Sequence, residues 1–249
     1  MYLSRLILNP KSFQVRRDLS DCHNMHRTVL KGFPDMGNPG EDARKHYGVL
    51  HRVDIHPRNG EIMLLVQSSV KPDWSQLPIN YLSTKLGIEN PASKCVDEQY
   101  AGIRTSEILR FRLRANPTKK IGTSRKVDLA AGKPKCNGRR VIVGDEKEQI
   151  EWLIRKGTLC GFEILSSRLL NEVPDVQTRE DGKTTSKANL KGTQSASDAQ
   201  SKNKLSFASV TYEGYLKVID RDKFLTSIKS GIGSGKAYGF GLLSIAPVR

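Results

Sequence analysis

Tyr47-Gly48-Val49-Leu50-His51-Arg52-Val53-Asp54 and Ile62-Met63-Leu64-Leu65-Val66-Gln67, joined through Pro57-Arg58-Asn59-Gly60, decide the fold of the first half of this chain. Both runs are apolar and rich in strand formers. Asn-Gly between them is a strong hairpin signal, because both residues tolerate the left-handed backbone of tight hairpin turns. The spacing predicts strands over 47–56 and 61–70. Upstream, Ser20-Asp21-Cys22-His23-Asn24-Met25-His26-Arg27-Thr28-Val29-Leu30-Lys31 predicts a helix. Ser20 or Asp21 serves as its N-cap, and Gly32, Pro34 and Gly37 break the chain after it. Leu3, Leu6, Ile7 and Leu8 predict a strand over residues 1–9, ended by Asn9-Pro10. Downstream, Asp73 to Leu86 predicts a helix interrupted at Pro78, and residues 95–102 a fourth strand. The order β-α-β-β-α-β is the ferredoxin-like unit.

A second such unit follows. Residues 106–116 alternate, placing Phe111, Leu113 and Ala115 on one face and Arg110, Arg112 and Arg114 on the other. Asp145 to Lys156 predicts a helix with acids at its start, Arg155-Lys156 then Gly157 at its end, and Ile150, Leu153 and Ile154 as its apolar stripe. Phe162 to Leu165 predicts a short strand. Phe207–Tyr212 and Tyr215–Ile219 predict a hairpin about Glu213-Gly214, Arg221–Ile228 a helix and Leu242–Ala246 a last strand. Residues 178–204, nearly devoid of apolar side chains, predict a mobile excursion within an insertion at about 168–204. The expected fold is α+β, with two tandem ferredoxin-like (RRM-like) domains at 1–103 and 104–249.

Lys and Arg number 41 against 26 Asp and Glu, giving a net charge of +15 and a pI near 9.8. That balance favours a polyanionic partner, nucleic acid first. No apolar run is long enough to span a bilayer, and the N-terminus lacks a signal-peptide pattern, so a cytoplasmic protein with no membrane partner is expected. Cys22, Cys95, Cys136 and Cys160 are far apart with no CxxC pair, which fits reduced thiols better than a disulfide framework.

The candidate chemistry sits on the Ser20–Lys31 helix. At about 100° per residue, Cys22, Met25, Val29 and Phe33 gather on one side. His23, His26, Arg27 and Lys31 spread over the adjacent arc, with His26 on the border. An imidazole exchanges protons near neutral pH, and paired cations hold a phosphate, so the set points to phosphodiester chemistry. The bland alternative is a boundary histidine beside ordinary surface charge. Metal binding through Cys22, His23 and His26 is disfavoured because adjacent side chains diverge on a helix. No metal or cofactor is expected. Residues 108–140 carry eleven Lys or Arg against one acid, Asp128. Arg110, Arg112, Arg114, Lys119, Lys120, Arg125, Lys126 and Arg139 are therefore candidate phosphate contacts. Five glycines between Gly231 and Gly241 expose backbone N–H groups, with Gly233 and Lys236 as candidate RNA contacts. This is not a P-loop, because it lacks the GxxxxGK[ST] spacing and precedes a strand.

Met-Tyr-Leu-Ser-Arg-Leu at residues 1–6, Met25-His26-Arg27, Phe111-Arg112-Leu113-Arg114-Ala115-Asn116-Pro117, Ile150-Glu151-Trp152-Leu153 and the terminal Gly231-Ile232-Gly233…Gly239-Phe240-Gly241-Leu242-Leu243-Ser244-Ile245-Ala246-Pro247 are together similar to the CasE family. These are the CRISPR repeat endoribonucleases of the type I-E Cascade. The resemblance spans nearly the whole chain in order and fails mainly across 168–204. It implies metal-independent cleavage of precursor CRISPR RNA at the 3′ base of each repeat hairpin. It also implies retention on the mature hairpin as a Cascade subunit beside the backbone subunits. His26 matches the family's catalytic histidine, and Arg27 and Lys31 match positions near the scissile phosphate. His23 stands where the family commonly has a tyrosine, which leaves it as a second acid–base group or a space-filler. The family's basic hairpin falls in the poorly matching region, where Arg179 and Lys183 are the candidates. The competing class is a non-catalytic RNA-hairpin-binding subunit of a ribonucleoprotein.

Overall fold

The computed structural model describes residues 1–37, 42–84, 86–121, 139–165, 177–187 and 204–248; the side chains of residues 139, 177–187 and 204–206 lie outside this description. The first strand, β1 (Tyr2–Leu8), is followed by two helices where the sequence suggested one: α1 (Phe13–Ser20) and α2 (Cys22–Leu30). The break falls at Asp21, which is extended at φ −144° and accepts a bond from the His23 backbone N–H at 2.9 Å. A carboxylate that caps the following turn cannot also continue the preceding helix. A short turn, α3 (Ala43–His46), leads into β2 (Leu50–Ile55) and β3 (Ile62–Ser68). These two pair antiparallel with Ile55 opposite Ile62, and Gly60 turns the chain at φ 67°.

Two expectations for this half are corrected. Among the described residues of Asp73–Leu86 there is no α-helix, and Trp74–Gln76 makes a 3-10 turn. Beyond Pro78 the chain instead drives Tyr81 into the core, where its hydroxyl donates to the buried Asp18 at 3.0 Å. The fourth strand is β4 (Ala92–Cys95), earlier than the expected 95–102, and Asp97–Ala101 forms α4. The sheet order β2-β3-β1-β4, antiparallel throughout, is nevertheless that of a ferredoxin-like domain. Leu6, Leu8, Leu64 and Val66 from the sheet pack against Val15, Met25 and Val29 from α1 and α2.

The second sheet repeats the plan. Its first strand, β5 (Ile108–Ala115), buries Leu109, Phe111, Leu113 and Ala115 as its alternation requires. A two-stranded ribbon, β6 (Thr118–Ile121) and β7 (Arg139–Ile142), leads to α5 (Glu146–Cys160). Asp145 caps α5, which passes through the expected stop at Gly157 and ends at Gly161, φ 80°. Gly157 is needed for contact, since a Cβ there would meet the Phe162 carbonyl oxygen at 2.7 Å. The buried stripe of α5 is accordingly Gln149, Trp152, Leu153 and Gly157, while Ile154 is exposed.

Strand β8 (Phe162–Ile164) is followed by β9 (Gln177–Lys187) and the long β10 (Lys204–Val218). The hairpin expected at Glu213-Gly214 does not exist. β10 runs straight through it, with Gly214 opposite Phe111 and burial alternating unbroken through Val210, Tyr212, Leu216 and Val218. The excursion expected over 178–204 is in part the strand β9, paired with β10; residues 188–203 lie outside those described. Helix α6 (Arg221–Ser230), a 3-10 turn at Lys236–Tyr238 and β11 (Leu243–Pro247) complete the chain. The order β11-β5-β10-β8 is the ferredoxin-like order again, with β9 added beside β10.

The two domains meet across β2, whose Leu50, His51 and Arg52 are all buried because both faces of the strand are covered. Arg52 binds Asp54 and donates to the carbonyls of Arg112 at 3.3 Å and Leu242 at 3.2 Å. Gln67 on β3 donates to the Ile228 carbonyl of α6 at 2.9 Å.

Candidate active site at the domain boundary

His26 lies on the border of α2, half-buried, and elements from both domains close around it. His51, on the helix-covered face of β2, stacks beside it with ring centroids 6.3 Å apart and planes 20° apart. Tyr238, from the glycine-rich loop, approaches to 6.4 Å at a tilt of 59° and packs its ring on Phe207 at 4.9 Å. The loop turns here at Gly239, whose φ of 85° favours glycine, and the turn lies in van der Waals reach of His51 and Arg114. Arg114 itself donates to Ser209 Oγ at 2.8 Å and lies over the Phe240 ring at 4.9 Å.

Burial first, then the charges of His23 and Arg44, push His26 down to about 4, against an upward pull from Asp42. Burial, His26 and Arg114 push His51 down to about 3. Burial thus favours the neutral form of both rings at pH 7, the form in which an imidazole can accept a proton. Tyr238 moves the other way: burial, then Cys22 and Asp21, raise it above its ordinary value, so it keeps its proton. Among the described residues, the Nδ1 atoms of both His23 and His26 are buried without a hydrogen-bond partner. Also among the described residues, no group of three or more His, Cys, Asp or Glu side chains converges as a metal site requires.

The structure places the expected site residues unevenly. His23 and His26 share α2, one turn apart, but Arg27 and Lys31 are exposed, and the cation whose charge His26 feels is Arg44. Arg44 is paired with Asp42 at 3.6 Å. On β5, Arg110 is exposed, whereas Arg112 is bridged by Glu213 and by Asp54 at 3.7 Å, so the expected open row of three arginines is partly neutralised and partly closed by the N-terminal domain. Lys119 pairs with Glu148 at 2.6 Å, and Lys120 is exposed. Arg125 and Lys126 lie outside the described residues. Arg139 is placed only as backbone of β7, and Arg179 and Lys183 only as backbone of β9, opposite Thr211 and Ala208. Gly233, φ 85°, lies against Trp152. Lys236 donates to the Ser230 carbonyl at 2.7 Å, and its pKa is lowered by burial and by Arg44, so it closes the end of α6. His51, Arg44 and Tyr238 were absent from the sequence-based set. Arg44 and His51 lie on the neighbouring elements α3 and β2, while Tyr238 comes from the other end of the chain, and no local spacing brings the three together with His26.

Two ferredoxin-like domains in tandem, with a histidine centre at their boundary beside an arginine-bearing strand, define a class of RNA-handling protein. Within it, the chain belongs to the CasE family of CRISPR-associated proteins: the family model described as CRISPR associated protein matches residues 1–247. It is 30% identical over 254 residues to the CRISPR-associated endoribonuclease Cse3 of Thermus thermophilus, covering 99% of this chain and 100% of that protein. It is 27% identical over 252 residues to the Cascade subunit CasE of Escherichia coli K12, covering 100% of each. The solved structure of Thermus thermophilus Cse3 bound to an RNA representing a pre-cleavage complex has a TM-score of 0.69 at 29% identity, covering 99% of this chain and 98% of that one.

Proposed function

We propose that this chain is a metal-independent endoribonuclease that cuts precursor CRISPR RNA at the 3′ base of the repeat hairpin and stays on the mature hairpin as a cytoplasmic Cascade subunit. The reading divides the chain into a catalytic domain at 1–103 and an RNA-holding domain at 104–249. The relatives support it by what they are: an endoribonuclease captured with RNA before cleavage, and a Cascade subunit. Among the described residues, no helix is long and apolar enough to cross a membrane.

The observation that carries the reading is a neutral, half-buried His26 at the domain boundary. The ribose 2′-oxygen attacks the adjacent phosphorus, its proton passing to His26. The P–O5′ bond breaks, the 5′-oxygen takes a proton from water and His26 returns its proton to solvent, leaving a 2′,3′-cyclic phosphate and a 5′-hydroxyl. Arg27, Lys31, Arg44, Arg110 and Arg114 supply positive charge for the RNA backbone, with His23 beside the centre as a second imidazole. A positioned proton acceptor contributes about 10²- to 10⁴-fold to the rate. Incubation with repeat RNA in EDTA tests this: the wild-type chain cuts, and His26→Ala does not while still binding the hairpin. Cleavage by His26→Ala overturns the role of His26. Binding without cleavage by the wild-type chain returns the protein to a hairpin-binding subunit.

A further inference from the structure

We infer that Tyr238 is a catalytic residue of this centre, a phenol supplied by the C-terminal domain that donates its O–H to a non-bridging oxygen of the phosphate under attack. The inference rests on the reading of His26 given above. Tyr238 ends the 3-10 turn Lys236–Tyr238, held between two left-handed glycines, Gly235 at φ 77° and Gly239 at φ 85°. The left-handed Gly239 turns the chain beside His51 and Arg114, and Phe207 packs on the Tyr238 ring at 4.9 Å. The ring then stands 6.4 Å from His26. The charges that act on its hydroxyl are those of Asp21 and Cys22, at the start of the helix that carries His26. The phenol therefore spans the gap between the glycine loop and α2, and it is only half-buried, so RNA entering that gap meets it.

The chemistry asks for such a donor. As the 2′-oxygen adds, negative charge grows on the non-bridging oxygens, and a fixed donor in a partly dry site lowers that energy more than water does. Arg44 shares its charge with Asp42 and Lys236 is bonded to the end of α6, so a neutral donor fixed in the gap adds to what these two cations offer the phosphate. A phenol held in its protonated form donates to a phosphate and does not repel it. No proton need leave Tyr238, so the step adds nothing to the balance of the reaction.

Tyr238→Phe removes one oxygen and keeps the ring on Phe207. Single-turnover cleavage of repeat RNA should slow by about 10- to 100-fold. Affinity for a repeat carrying an uncleavable 2′-deoxy residue should stay within about twofold, and the unfolding midpoint should be unchanged. Sulfur in place of a non-bridging oxygen at the scissile phosphate weakens the acceptor, so it should slow the wild-type chain more than Tyr238→Phe. A wild-type rate for Tyr238→Phe, an equal loss of affinity, or a sulfur effect of the same size in both proteins overturns the inference and leaves the role of His26 standing. A wild-type chain that fails to cut repeat RNA overturns both.

Discussion

Acidifying the free protein from pH 7 to pH 5 should cost it several kcal/mol through two imidazoles alone. His26 and His51 titrate near 6.5 when unfolded, but folding holds them at about 4 and about 3, chiefly by burial. Between pH 5 and 7 the unfolded chain therefore takes up protons that the folded chain refuses. Stability is present above pH 6.5 and is lost as the pH falls towards the folded values. For one such group, RT ln[(1 + 10^1.5)/(1 + 10^−0.5)] is about 1.9 kcal/mol, so the pair contributes about 4 kcal/mol of pH-dependent loss. That is a large part of the ~5–15 kcal/mol typical of a folded domain. Replacing His51 by Phe keeps an aromatic ring against His26 and removes one titrating group. Urea unfolding of both proteins at pH 7, 6 and 5 isolates the difference, because every other group cancels in the comparison. The wild-type chain should lose about 2 kcal/mol more than His51→Phe over this range. Equal losses would mean that His51 is protonated in the folded protein, and the neutral pair at the domain boundary would have to be given up.

Arg52→Ala should destabilise the protein by about 3 kcal/mol or more in urea unfolding, because it strips a buried partner from Asp54 and two carbonyl contacts from the domain boundary; a loss under about 1 kcal/mol would show that the boundary holds without it. Arg110→Ala should lower the slope of log K against log salt for hairpin binding by about 0.7 to 0.9, the share of one phosphate contact. Arg112→Ala should lower it less, since Asp54 and Glu213 already neutralise that side chain; the reverse order would contradict the placement of these two arginines.

What the sequence carried locally, the structure keeps. Alternation set the inward row Phe111, Leu113 and Ala115, Asn59-Gly60 marked the β2–β3 turn, and Asp145 marked the start of α5. The errors arise where a tertiary contact overrides a local signal. Glu213-Gly214 has turn composition, yet Val210, Tyr212, Leu216 and Val218 continue one face straight through it, because β5 supplies eight partners along its length. Gly157 resembles a helix stop but is there to let Phe162 approach. Pro78 warned against a helix, but nothing local said that Tyr81 would be drawn to Asp18 instead. The site was half legible: His26 and His23 lie in one stretch, whereas His51 reaches them only when α2 packs on the first sheet and Tyr238 only when the second domain docks beside it.

The central claim is that the substrate's own 2′-hydroxyl is the nucleophile, and one substitution tests it. Replacing the ribose on the 5′ side of the scissile phosphate by deoxyribose removes that hydroxyl and leaves the hairpin's shape, phosphates and remaining hydroxyls for recognition. Binding should be retained and cleavage should stop. A water-activating metal centre would still cut the deoxy-substituted RNA. Its cleavage at the wild-type rate would contradict the assignment of His26 as acceptor of the 2′-hydroxyl proton.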